Sequence, residues 1–145
     1  MNVELGISTF GETTPLEKTD KAISHDERIR NLIEEVELAD QVGIDAYAIG
    51  EHHRKDFAVS APEIIIAIAA AKTKQIHLSS ATTNLPTIDP IWVFEQYATI
   101  DAMAPGRIEI MAGRGSFTEA FDLFGYDLDN YDELCQPPLT KVSGL

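Results

Sequence analysis

Ile44-Asp45-Ala46-Tyr47-Ala48-Ile49-Gly50 is a short, mostly apolar run between two helix signatures. Its length and its terminal glycine predict a buried strand rather than a helix. Upstream, Ser24 and Glu27 stand in capping-box spacing, and Ile29, Leu32, Ile33, Val36 and Ala39 follow at helical spacing up to Gly43. Downstream, Ser60-Ala61-Pro62-Glu63 opens a second helix, with Ser60 as cap and Pro62 in the first turn, running through Lys72. That helix is apolar almost all round, which predicts near-complete burial.

The same alternation extends outward. Val3, Leu5 and Ile7 alternate in a strand over residues 3–9, Ile76 to Ala81 is a third strand, and Arg107 to Ala112 a fourth. Asn84 to Pro90 reads as a loop, and Asp89-Pro90 starts a third helix that runs to about Met103. Asp127 to Glu133 is a candidate fourth helix, stopped by Pro137-Pro138. The order β-α-β-α-β-α-β predicts an α/β fold with parallel strands joined by right-handed crossovers.

Composition narrows the function classes. The 145 residues hold 11 Lys and Arg against 24 Asp and Glu, a net charge of −13. Such an excess of acid opposes nucleic acid and anionic membrane as partners, although one local cation can still hold a small anion. No stretch approaches the ~20 apolar residues of a membrane-spanning helix. Residues 1–4 lack the basic start and apolar run of a signal peptide. Cys135 is the single cysteine and has no internal partner, so a reducing, cytoplasmic setting is expected.

In parallel α/β folds the chemistry sits at the carboxyl ends of the strands. Three unusual polar groups land there: Glu51-His52-His53, the stretch Ser80 to Asn84, and Gly113-Arg114-Gly115-Ser116. His52 or His53 suits a general base, because imidazole titrates near neutrality. The alternatives are a metal site, although the spacing is not H-E-x-x-H, and two plain loop histidines. Gly113 to Ser116 suits an anion, with backbone amides and the Arg114 fork. The plain reading is a tight turn in which Arg114 pairs with an acid. A dinucleotide fingerprint would need glycine where Thr118 stands, and the segment 117–125 is a poor helix. Trp92, Phe94 and Tyr97 read as helix packing, while Phe117, Phe121 and Phe124 fit either a ligand cover or a filled barrel mouth. Glu109 points to an undetermined side of its strand.

Glu51-His52-His53-Arg54, Ser60-Ala61-Pro62-Glu63, Leu85-Pro86-Thr87 with Asp89-Pro90, Glu95-Gln96 with Asp101, Gly106-Arg107, and Gly113-Arg114-Gly115-Ser116-Phe117 through Leu123-Phe124-Gly125-Tyr126 come in that order. The set resembles the bacterial luciferase-like flavin monooxygenases, over residues 1–134. The resemblance implies the N-terminal half of a TIM-type (β/α)8 barrel, with about four strands and three to four helices. It implies reduced FMN as cosubstrate, O2 as oxidant, a small organic substrate, and flavin reduction by NAD(P)H directly or through a partner reductase. It implies that His52 stands beside the flavin and assists as a base, and that Arg114 grips the FMN phosphate. It further places a non-proline cis peptide at Ala81-Thr82 against the flavin ring.

Residues 135–145 depart from the family and are expected to be an irregular tail. Half a barrel leaves two open strand edges, so a homo-oligomer or pairing with another barrel chain is expected. Weak FMN binding and little turnover by the chain alone follow. Two other readings stand beside this one: a non-catalytic half-barrel that serves assembly, and a metal-dependent hydrolase on a similar barrel.

Overall fold

The computed structural model describes residues 3–15, 21–114 and 118–130, apart from the Leu128 side chain. Four strands form one parallel sheet in the order β1 (Gly6–Thr9), β2 (Ala46–Ile49), β3 (His77–Ser80), β5 (Ile108–Glu109). Crossover helices α1 (His25–Val42), α2 (Pro62–Lys72) and α3 (Pro90–Met103) connect them. A second, two-stranded parallel sheet pairs β4 (Thr83–Asn84) with β6 (Ala112–Gly113), just beyond the ends of β3 and β5. A short α4 (Glu119–Phe124) follows.

The register explains the residue pattern. Tyr47 and Ile49 on β2 pair with Leu78 and Ser80 on β3, and this row faces the helices. The core there is Leu32 and Val36 of α1, Ile66 and Ala69 of α2, and Val93, Tyr97 and Ile100 of α3. Ser8, Ala48, Ser79 and Glu109 align across the sheet on the opposite face. Small residues there suit the inside of a closed barrel, where opposing strands converge. Glu109 belongs to this inner row and is two-thirds exposed.

Helix ends follow their local chemistry. The Ser24 hydroxyl accepts the Glu27 N–H, and Gly43 takes φ +81° so that the Ile44 N–H reaches the Ala39 carbonyl at 3.0 Å. The Asp89 carboxylate caps α3 at the Ile91 N–H. For α2 the expected Ser60 cap is corrected. Ala61 is the capping residue and makes no side-chain cap bond, because Pro62 at the first helical position places Ser60 one residue too early.

The end of the sheet away from the strand exits is clamped. The Asp40 carboxylate accepts the N–H groups of Lys74, Gln75 and Ile76 at 2.8–3.0 Å. Burial acts against its charge, but those three donors and nearby Arg107 hold its carboxyl below the usual value. Arg107 donates to the carbonyls of Ala70, Thr73 and Ile76 and to the Thr73 hydroxyl. One acid and one base thus satisfy both polarities of the turn between α2 and β3.

Several expectations are revised. Strand β1 starts at Gly6, not Val3, and Ile7 remains 44% exposed because β1 has a strand neighbour on one side only among the described residues. The fourth strand divides into β5 and β6, since Ile110 and Met111 carry the chain from one sheet to the other. Asn84 is in a strand, not a loop. Helix α2 is buried on one face only: Ile64 and Ile68 are exposed, as is Trp92 of α3 at 63%. These three line an apolar groove of about 480 Å³ on the outer surface between α2 and α3. Only two residues of the proposed 127–133 helix fold helically with Leu128, as a 3-10 turn (Leu128–Asn130). The rest of that helix and the 135–145 tail lie outside the described residues. No helix among the described residues is long and apolar enough to cross a membrane.

Candidate active site at the strand exits

The exits of β1, β2 and β3 are linked backbone to backbone. The Gly50 N–H donates to the Thr9 carbonyl at 2.9 Å, and the Ala81 N–H to the Ile49 carbonyl at 2.8 Å. The Ala81–Thr82 peptide is cis. Beyond it the Thr83 N–H bonds to the Met111 carbonyl at 2.9 Å, while the Ser80 hydroxyl bridges the Met111 N–H and C=O. A Cβ on Gly50 would lie 2.5 Å from the Ala81 carbonyl oxygen, and one on Gly113 would run into the Thr82 side chain. Glycine at these two positions therefore lets Phe10 and Ala81 close on the exit of β2 and Thr82 close on β6. The result is a closely packed platform at the strand exits.

His52 stands at one side of the platform. Its N–H donates to the Val59 carbonyl at 2.9 Å, which holds the 51–59 loop closed. Gly11 and Thr13 pin the same loop from the β1 side through the Ala58 N–H and the Asp56 carbonyl. The imidazole is 8% exposed, packs against the tilted rings of Phe10 and Phe57 at 5.1 and 4.3 Å, and places Nδ1 2.7 Å from the Glu119 carboxylate. Its neighbour His53 meets the Phe124 ring edge-on at 5.1 Å. Both histidines thus contact α4, which places that helix beside the loop that follows β2. The poor-helix reading of 117–125 missed α4. Its marks were Glu119, Ala120 and Leu123 before Gly125, which closes the helix at φ +73°.

Glu51 is largely buried beside His53. Burial lifts its carboxyl to about 7, opposed by the Asn84 N–H that it accepts and assisted by the charge of Glu63. His53 Nε2 is 3.7 Å from Glu51 Oε1, but burial also lowers the His53 value. Both shifts favour neutral forms, so the contact is not a standing ion pair at neutral pH. The folded carboxyl keeps its proton up to about 7, while the unfolded one loses it near 4.5, so this group makes the fold less stable as pH rises between those values. Glu51→Gln is expected to match the parent near pH 4 and to exceed it above pH 8, by at most about 3 kcal/mol. Urea midpoints across that range measure it; parallel curves for the two proteins would refute it.

Arg114 follows β6 directly and is exposed at the same rim. Residues 115–117 lie outside the described residues, so the backbone-amide half of the anion reading is not placed. Of the aromatic residues left open, Phe121 is fully buried and Phe124 is half exposed beside His53, which divides them between packing and rim. Tyr97 does pack the helix core, with its hydroxyl 3.3 Å from Thr83, whereas Trp92 and Phe94 are exposed on the outer surface. Among the described residues no group of three or more His, Cys, Asp or Glu is placed to hold a metal ion.

The luciferase-like monooxygenase family profile matches residues 3–136. The alkanal monooxygenase alpha chain of the Kryptophanaron alfredi symbiont is 30% identical over 109 residues, covering 74% of this chain and 30% of that protein. The FMN complex of the oxygenating constituent of 3,6-diketocamphane monooxygenase, a type II Baeyer–Villiger monooxygenase from Pseudomonas putida, superposes with TM-score 0.78. It is 24% identical over 92% of this chain and 36% of that one. An F420-dependent secondary alcohol dehydrogenase superposes with TM-score 0.68 at 19% identity, over 92% and 39%. The chain spans 26–32% of the curated relatives' length. The fold is accordingly part of a TIM barrel of the kind these oxidoreductases share. With the profile covering nearly all of its length, this chain belongs to the luciferase-like monooxygenase family.

Proposed function

We propose that this chain supplies the flavin platform of an FMN-dependent monooxygenase, in which reduced flavin and O2 oxidise a small organic substrate. The observation that carries the reading is the convergence of His52, the platform at Gly50, Ala81, Thr82 and Gly113, and Arg114 on one rim. The fit is chemical. A planar ring system needs a closely packed surface beneath it, and two glycines that admit no Cβ let Phe10, Ala81 and Thr82 pack against the strand exits to form one. An anionic tail needs a cation at the rim, and Arg114 offers a bidentate one. Ala81 and Thr82 would lie under the ring, Arg114 at the phosphate, and His52 at the ring edge, where it accepts or returns a proton. Bound reduced flavin supplies the oxygen chemistry, and the chain binds, orients and shields it.

Both FMN and F420 carry a flat tricyclic head and phosphate, so titration separates them. Fluorescence titration with FMN, riboflavin and F420 is expected to rank FMN first, with weak affinity for the chain alone. F420 ahead of FMN would overturn the choice of cofactor, and no binding of any of the three would overturn the site. Reduction by NAD(P)H, directly or through a reductase, and a cytoplasmic setting belong to the same reading.

Self-association belongs to it as well. Strands β1 and β5 each lack a second neighbour among the described residues, and Ile7 and Ile110 are exposed beside those edges. Light scattering is expected to give at least a dimer of this chain; a strict monomer at all concentrations refutes it.

A further inference from the structure

We infer that Glu119 is a positioning residue that sets which nitrogen of His52 can act as a base. The chemical use of this arrangement rests on the flavin-site reading above, but the arrangement itself is geometric. His52 Nδ1 lies 2.7 Å from Glu119 Oε1, and the two side chains are only 8% and 21% exposed. Phe10 and Phe57 contact the imidazole ring from 5.1 and 4.3 Å and restrict its rotation. A neutral imidazole carries one N–H and one lone pair, and a carboxylate only accepts. The proton therefore resides on Nδ1 and the basic lone pair on Nε2. A carboxylate behind an imidazole does the same work in other enzymes: it fixes the tautomer and ring orientation without itself touching the substrate. Glu119 is well placed for this because it opens α4, the first helix after Arg114. One contact thus orients the base and holds the first residue of α4 against it.

The test is a tautomer measurement, with or without flavin. In the ¹⁵N-histidine-labelled chain, multiple-bond ¹H–¹⁵N correlation above the imidazole titration range resolves four histidines, and His52→Gln identifies the signal of interest. His52 is expected to show a pyrrole-type Nδ1 and a pyridine-type Nε2. Glu119→Ala is expected to shift it towards the Nε2–H form. Glu119→Gln, whose amide oxygen still accepts, is expected to retain Nδ1–H. A parent spectrum with Nε2–H overturns the inference whether or not the variants fold, and so does a Glu119→Ala chain, folded by circular dichroism, with an unchanged tautomer. FMN titration on the same samples keeps the two readings apart. An Nδ1–H tautomer without FMN binding upholds the role of Glu119 and removes the flavin site. FMN binding with an Nε2–H tautomer does the reverse.

Discussion

Replacing Arg114 with alanine is expected to weaken FMN binding about ten- to a hundredfold while leaving riboflavin binding nearly unchanged. The magnitude comes from the loss of charge-assisted hydrogen bonds to a phosphate, each worth about 1.5–3 kcal/mol. The chain carries 24 acids against 11 bases, so an anionic ligand meets a repulsive background and depends on a local cation. Arg114 is exposed at the rim, directly after β6 and beside the platform. Riboflavin has the same ring and no phosphate, so it reports damage to the platform separately from loss of the phosphate contact. Arg114→Lys keeps the charge but not the planar fork, and should fall between parent and alanine. Equal losses for FMN and riboflavin would mean that Arg114 supports the rim rather than the phosphate. Insensitivity of FMN to Arg114→Ala would remove the phosphate role altogether.

Much of the fold was legible because the local signals were redundant. Helix α1 had its Ser24 cap, its apolar stripe and Gly43, and each marks the same element by a different physical cause. Asp89-Pro90 did the same for α3. The alternation of elements then forced parallel pairing. The misreadings of burial share one origin, which is that periodicity reports apolarity and not what covers it. Ile64, Ile68 and Trp92 are as apolar as Ile66 and Val93, yet lie on the outer faces of α2 and α3. Ile7 points to the helix side but stands on an edge strand.

At the site, the sequence supplied candidates by rim position and resemblance. Glu119 was missed because its partner His52 is 67 residues away and only the fold brings them together. The Glu51 shift was hidden for a similar reason, since nothing in Glu51-His52-His53 reveals the burial that raises the carboxyl. The division of the fourth strand into β5 and β6 has no local mark either. It coincides with long-range bonds, the Ser80 hydroxyl to both polar groups of Met111 and the Thr83 N–H to the Met111 carbonyl.

Gly50→Ala is the substitution expected to damage both fold and site most. The added methyl carbon would fall 2.5 Å from the Ala81 carbonyl oxygen and would also strike the Phe10 ring. A ring at the end of a rotatable side chain can move, but a main-chain carbonyl on a residue whose N–H is bonded to the neighbouring strand exit cannot move alone. The Ala81 N–H is bonded to Ile49, immediately before Gly50, so the two strands cannot separate at this level without breaking that bond. Overpacking of this kind costs about 1–3 kcal/mol, read as a lowered urea midpoint. The consequence for binding follows from the same atoms. Displacing Ala81 tilts the peptide that forms the platform, and displacing Phe10 releases one side of His52. FMN and riboflavin should therefore weaken together, in contrast to their separation on Arg114→Ala. Gly43→Ala is the control: no atom lies within 4 Å of its added carbon, so its cost is confined to the left-handed backbone at φ +81° and neither flavin should notice it. If Gly50→Ala retained parental stability and affinity for both flavins, the close approach of β2 to β3 would not be what shapes the site.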